Sequence, residues 1–210
     1  MLRRSVRRRF DTRGVGNRCP TAAVFAPQCL SPLNEAVTMT GPLYPVEGGC
    51  ACRRVRYRML GSPLFVHCCH CRWCQRESGA SFARNAMIEA DRVQLTAGEP
   101  DIVDTPSASG AGQKVARCPV CRVAVWSNYS SAGPIVRFVR VGTLDDPDPL
   151  PPDVHIFTAS KQLWVRLPAD VPAVPAYYDR EQLWPAASLD RRRRLLPQID
   201  AWQSSAAGAN

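Results

Sequence analysis

The stretch Cys68-Cys69-His70-Cys71-Arg72-Trp73-Cys74 packs four cysteines and a histidine into seven residues. Two cysteine pairs flank it, Cys50-Ala51-Cys52 upstream and Cys118-Pro119-Val120-Cys121 downstream. Cysteines so close in sequence can chelate one metal through two sulfurs. A disulfide between them would close a small, strained loop. The paired cysteines among the chain's ten therefore read as metal ligands in a reducing, cytoplasmic setting rather than as a secreted disulfide framework.

Seven of these cysteines stand at metal spacings: Cys50-x-Cys52, Cys69-x-Cys71-x-x-Cys74 and Cys118-x-x-Cys121. Four thiolates complete a tetrahedral structural zinc site, and three leave a position open. Spacing permits two partitions. In one, Cys50, Cys52, Cys118 and Cys121 form a closed site and the central cluster keeps its own ion. In the other, Cys71, Cys74, Cys118 and Cys121 form a zinc ribbon, which strands Cys50, Cys52 and Cys69. The first uses all seven and is preferred.

Around the cysteines the pattern is of short β segments. Val55, Tyr57 and Met59 alternate with Arg54, Arg56 and Arg58, a strand with one wet face. Leu64 to Val66 lead into the cluster. Further strands are expected at 81–88, 93–96, 102–103, 113–117, 123–126 and 135–141, with short additions at 155–157 and 164–167. The segment from Gln113 to Trp126 reads as strand, Cys-x-x-Cys turn, strand, the build of a zinc knuckle. Helix is scarce: one turn after Cys71 and a short piece near 188–196, which Pro197 is expected to stop. The end after Asp200 is expected to fray. The fold class is therefore mainly β, with antiparallel sheets of short strands around two zinc sites.

The 210 residues suit one domain with tails. We place a disordered basic extension at 1–40, a zinc-binding β domain at 41–185 and a C-terminal tail at 186–210. The net charge of +9 sits largely at the front: residues 1–38 hold seven arginines against Asp11 and Glu35, leaving +4 for the remainder. The body is near balance, which argues against nucleic acid as a partner. No run approaches the roughly 20 apolar residues of a membrane span. Residues 1–38 read either as an organelle transit peptide or as sequence ahead of an initiator at Met39. Oligomeric state is not legible.

In order, Gly48-Gly49-Cys50-Ala51-Cys52, Val55-Arg56-Tyr57, Cys69-His70-Cys71-Arg72-Trp73-Cys74, Gly79-Ala80, Cys118-x-x-Cys121, Val141-Gly142-Thr143-Leu144-Asp145-Asp146-Pro147 and His155-Ile156-Phe157 resemble the glutathione-dependent formaldehyde-activating enzyme family. Its domain is shared with centromere protein V, and the resemblance runs from about Val46 to Tyr178. It implies a structural zinc on Cys50, Cys52, Cys118 and Cys121, and a second, catalytic zinc on Cys69, Cys71 and Cys74. Two ions per chain (Zn2+) are thus expected. It also implies a carbon–sulfur lyase reaction, the reversible formation of S-hydroxymethylglutathione or a related adduct, with a small-molecule thiol such as glutathione as partner. The alternative is a non-catalytic zinc-stabilised binding module of the centromere type. Where the family carries glycines, this chain has Arg53 and Arg122. At Arg122 a glycine would ease a positive-φ turn, so a strained or shifted turn is expected there.

Glutathione is anionic, so Arg72 and Arg76, and more weakly Arg84, are candidate substrate contacts. Cys68 is the spare cysteine, read first as a small buried side chain and otherwise as a spare ligand or redox neighbour. His70 is expected to point away from the ligands, and His67 likewise; either could instead fill the open position. His155 and Trp164 read as core or supporting residues. Cys19 and Cys29 are given no role.

Overall fold

The computed structural model describes residues 42–107 and 109–207. The expectations for residues 1–38, including those on Cys19 and Cys29, lie outside the described residues. In chain order the elements are β1 (Val46–Gly49), β2 (Arg56–Met59), β3 (Phe65–Cys69), α1 (Arg72–Ser78), β4 (Ala83–Glu89), β5 (Val93–Ala97), β6 (Asp101–Thr105), β7 (Gln113–Arg117), β8 (Ala124–Tyr129), β9 (Val136–Arg140), β10 (Val154–Ile156), α2 (Arg180–Leu183) and α3 (Ala186–Ala207).

The strands form two sheets. The small one has order β1-β2-β5, and the large one β10-β3-β4-β9-β8-β7-β6. All pairs are antiparallel except β10 with β3, which is parallel. The mainly β architecture thus matches the expectation.

Successive residues of a strand face opposite sides, and this sorts the core into two clusters. On one face of the large sheet, Val66, Ala86, Ile88, Trp126 and Val139 pack with Tyr57 and Met59 of the small sheet and with Val55 just ahead of β2. Tyr57 is fully buried there. Its hydroxyl shares a 2.7 Å hydrogen bond with Thr143 Oγ1, and its ring meets Trp126 edge-on at 5.9 Å. On the other face, Phe65, Cys69, Ala83, Met87 and Ile156 pack with Trp184, Leu189, Leu195 and Ile199 from the C-terminal region.

The C-terminal region departs most from expectation. The short helix expected near 188–196 is a 22-residue helix, α3, that runs through Pro197 and past Asp200. A proline inside a helix costs about 3 kcal/mol, because it removes one backbone hydrogen bond and crowds the preceding turn. Burial of Leu195 and Ile199 on either side offsets that cost. Arg191 fixes the helix to the sheet through Glu89 (2.8 and 2.5 Å) and the Ser62 carbonyl (2.9 Å). The segment 164–167 holds no strand. Trp164 is 70% exposed, with its indole N–H donating to Gln162 at 2.8 Å.

Gly133 sits under the C-terminal half of α3 at φ +52, where a Cβ would overlap the Trp202 indole. Gly133→Ala is expected to cost about 2 kcal/mol or more, combining left-handed backbone strain with overpacking. Gly110 also has positive φ (+78) but faces open space. Gly110→Ala should therefore carry only the backbone part. Thermal midpoints of both variants, with hydrogen exchange across 198–207, check this.

Candidate metal centres and the cavity they open on

The turns β1–β2 and β7–β8 are built alike. In the first, Cys50 N–H donates to Val55 O (3.0 Å), Arg53 N–H to Cys50 O (3.0 Å) and Val55 N–H to Cys50 Sγ (3.3 Å). In the second, Cys118 N–H donates to Val123 O (3.0 Å), Arg122 N–H to Cys118 O (3.0 Å) and Val120 N–H to Cys118 Sγ (3.4 Å). The turn at Arg122 is not shifted. Arg53 and Arg122 both adopt the left-handed conformation, at φ +62 and +61.

These turns bring Cys50, Cys52, Cys118 and Cys121 together, with all four sulfurs within 4.8 Å of one another. Cys50 and Cys52 are 3.5 Å apart, and Cys52 and Cys118 3.6 Å. Zinc–sulfur bonds of about 2.3 Å at tetrahedral angles put sulfurs about 3.8 Å apart, so the set fits zinc.

Cys69, Cys71 and Cys74 form a second group within the same limit. Cys69 ends β3. Cys71 is the N-cap of α1 and accepts from Cys74 N–H at 3.4 Å. Cys74 lies on the inner face of the helix. Gly79, at φ +68, closes α1 in the left-handed conformation.

A buried network pins this helix. Glu77 bridges Arg117 of β7 (2.5 Å) and Arg140 of β9 (3.2 Å), and Arg140 also donates to Asn85 of β4. Gln75 donates to the carbonyls of His70 (2.6 Å) and Ser160 (3.0 Å). Within the three thiols, hydrogen bonds from Cys69 and Cys74 to the Cys71 sulfur pull Cys71 down to about 2, with help from the Cys74 and Trp73 N–H groups. The same sharing pushes Cys69 up.

The three thiols line a cavity of about 520 Å³. Trp73, Tyr129, Phe138, Phe157 and Tyr177 give it largely aromatic walls, and Arg180 is the one cationic residue among those lining it. The Arg180 Nε is buried without a hydrogen-bond partner. The segment 172–176 hydrogen-bonds along β10, through His155 N–H to Pro172 O (2.8 Å) and Phe157 N–H to Ala176 O (2.9 Å). That run carries Tyr177 and Arg180 to the cavity wall and Tyr178 to His67.

Arg72 and Arg76 line a different cavity, with Gln75, Gly79, Ala80, Ser81 and Gln162. They leave the outer side of α1 while Cys71 and Cys74, three residues apart, face inward. Arg84 pairs with Cys68 across β3 and β4 and faces away from the thiols. Sequence reading missed Arg180, Tyr177, Tyr178 and Asn85.

Neither histidine joins the three thiols. His67 faces their cavity, where its Nε2 shares a hydrogen bond with the Tyr178 hydroxyl, which also accepts from Trp184 Nε1 at 2.7 Å. His70 turns to the opposite face, with Nε2 at 3.0 Å from His155 Nδ1 and 3.7 Å from Cys68 Sγ. His70 Nδ1 and His155 Nε2 have no hydrogen-bond partner.

Clustered thiols in two knuckle turns, and three more on a cavity wall, give a mainly β protein with two thiol groups spaced as metal ligands. The chain matches the model of the family described as glutathione-dependent formaldehyde-activating enzyme over residues 45–160. That is more than half of its 210 residues, and the chain belongs to this family. No curated protein matches it in sequence. A crystal structure of a Rhodobacter sphaeroides protein, a structural-genomics target, matches at 17% identity and TM-score 0.39, covering 61% of this chain and 99% of that one. No helix among the described residues is long and apolar enough to cross a membrane.

Burial, and then the charge of Arg180, lower His67 from 6.5 to about 3. The unfolded chain therefore binds a proton at His67 near pH 6 that the folded chain refuses. The contribution is fully present above about pH 6.5 and is lost as pH falls toward 3. His67→Gln should make the pH dependence of stability shallower between pH 6.5 and 5, by up to about 1.4 kcal/mol per pH unit. Urea unfolding of the zinc-loaded protein and variant at several pH values measures it.

Proposed function

We propose that the chain is a zinc-dependent enzyme of the carbon–sulfur lyase type, acting on a glutathione-type thiol and a small aldehyde. In this reading Cys50, Cys52, Cys118 and Cys121 hold a structural zinc. Cys69, Cys71 and Cys74 hold a second one with a position open to the cavity. The observation that carries the reading is the placement of three thiols, with no fourth protein ligand among the described residues, on the wall of a cavity that a half-buried guanidinium also lines.

A zinc ion bound by three thiolates would lower the pKa of an incoming thiol, so that its nucleophilic form exists at neutral pH. The protein's own groups do the rest. Arg180 receives a carboxylate of the substrate, in a setting where a charge-assisted hydrogen bond is worth about 1.5–3 kcal/mol. The aromatic walls exclude water and hold the substrate's less polar parts. The addition forms one carbon–sulfur bond, and the thiol proton ends on the new hydroxyl, so no further reactant is required. His67, neutral and with a strongly depressed affinity for protons, orients Tyr178 and takes no proton at pH 7. Glu77 holds α1, and with it Cys74, in place.

With cobalt in place of zinc, glutathione should change the visible spectrum, and formaldehyde should then be consumed as followed by NMR. Arg180→Ala should weaken glutathione binding about ten-fold or more. Cys71→Ser should keep the fold and abolish the spectral response. Cys118→Ser should unfold the domain, since structural zinc supplies roughly 10–16 kcal/mol of apparent binding free energy in small sites. A spectrum indifferent to glutathione would sink the catalytic reading and leave a closed binding module.

A further inference from the structure

The four residues Cys68-Cys69-His70-Cys71 hold two chelating pairs, interleaved. In an extended chain residues i and i+2 share a face. The strand conformation of β3 continues beyond Cys69: His70 N–H donates to Ile156 O at 3.0 Å, and Cys71 lies at φ −66, ψ 151. Cys69 and Cys71 therefore face the cavity, and Cys68 and His70 face the other way. The parallel neighbour β10 places His155 opposite Cys68, and residues paired across strands share a face.

The result is a buried cluster of one thiol and two imidazoles on the far side of the strand from the three-thiol group. Cys68, His70 and His155 are 2%, 0% and 5% exposed. Cys68 Sγ, His70 Nε2 and His155 Nδ1 all lie within 4.8 Å of one another, with the nearest pairs at 3.7 and 3.0 Å. Zinc–sulfur bonds of about 2.3 Å and zinc–nitrogen bonds of about 2.0–2.1 Å at tetrahedral angles set ligand atoms about 3.3–3.8 Å apart. The cluster needs only small adjustments to meet that spacing.

We propose that Cys68, His70 and His155 form a third metal site, distinct from the two sites of the proposed function, that takes a divalent ion of the zinc class. A thiolate with two imidazoles is a donor set zinc accepts, and one ligand position is left for water. The competing occupant is a single proton shared between the two imidazoles, with Cys68 as a plain buried thiol.

The test is zinc X-ray absorption on the metal-loaded protein, with metal content measured in parallel. The sites of the proposed function supply sulfur alone from the protein. Histidine nitrogen at about 2.0–2.1 Å is therefore a signal of this site and no other. It should be present in the wild type and absent in His155→Gln and Cys68→Ser, each of which should carry one ion fewer per chain. Cys71→Ser, which strikes the neighbouring site, should keep the histidine signal. Failure of the catalytic reading would leave these results unchanged, so the two ideas fall separately.

Should the variants fold poorly, cadmium-substituted wild type decides. The His70 and His155 ring nitrogens should show scalar coupling to the cadmium nucleus. Absence of that coupling, or of any histidine component in the absorption spectrum of loaded wild type, overturns the third site in favour of the shared proton.

Discussion

Four sulfurs mark the point where turns of the two sheets meet. Cys50 and Cys52 belong to the turn that ends the first hairpin of the small sheet, and Cys118 and Cys121 to a hairpin of the large one, 66 residues later between Cys52 and Cys118. Everything between them, including the strand and helix that carry the other thiols, is a loop closed at this point. In both turns the first cysteine's N–H closes onto the residue five on and its carbonyl accepts from an arginine at positive φ. Left-handed backbone costs a non-glycine residue about 1–2 kcal/mol. Such strain persists where the surroundings over-determine the geometry. Sulfur-directed N–H groups and the packing of Cys50 and Cys118 into the main core do that here.

The second constraint is the helix that follows β3. Seven residues make a weak helix in isolation. What holds α1 is a carboxylate shared by two arginines from different strands, and a glutamine that answers the carbonyl left open after β3. Glu77 is nearly buried, and a buried carboxylate with both partners in place is costly to disturb from either side. Cys71 and Cys74 are therefore set by the sheet as much as by their own turn.

The cysteine spacings, the strand order along the chain and the separate fates of Cys69 and His70 were all legible in sequence, because local geometry decides them. The knuckle turns, β7 and the turn of helix after Cys71 fall where periodicity put them. The cavity was not legible. Its cation comes from Arg180, at the start of the four-residue helix α2, and reaches the cavity because residues 172–176 run along β10. Arg72 and Arg76 looked better for being adjacent to the cysteines, yet helical geometry turns adjacent residues apart. Pro197 misled for a related reason: propensity is local, while the burial of Leu195 and Ile199 is not.

All five residues of β3, from Phe65 to Cys69, are buried. A strand usually finds its register because one face is apolar and the other wet, and a slip of one residue exposes the wrong set. This strand has no wet face. A slip would exchange Cys69 and Cys71 for Cys68 and His70, and either face would still offer two metal-ligating atoms. The correct alignment rests instead on Asp153, whose N–H donates to Val66 O (2.9 Å) and whose carboxylate accepts from Val66 N–H (2.7 Å), and on the ladder with β4. The folding chain thus carries two interleaved pairs of metal-ligating side chains, one on each face of a single strand. Backbone pairing therefore decides which of the two pairs meets the cavity.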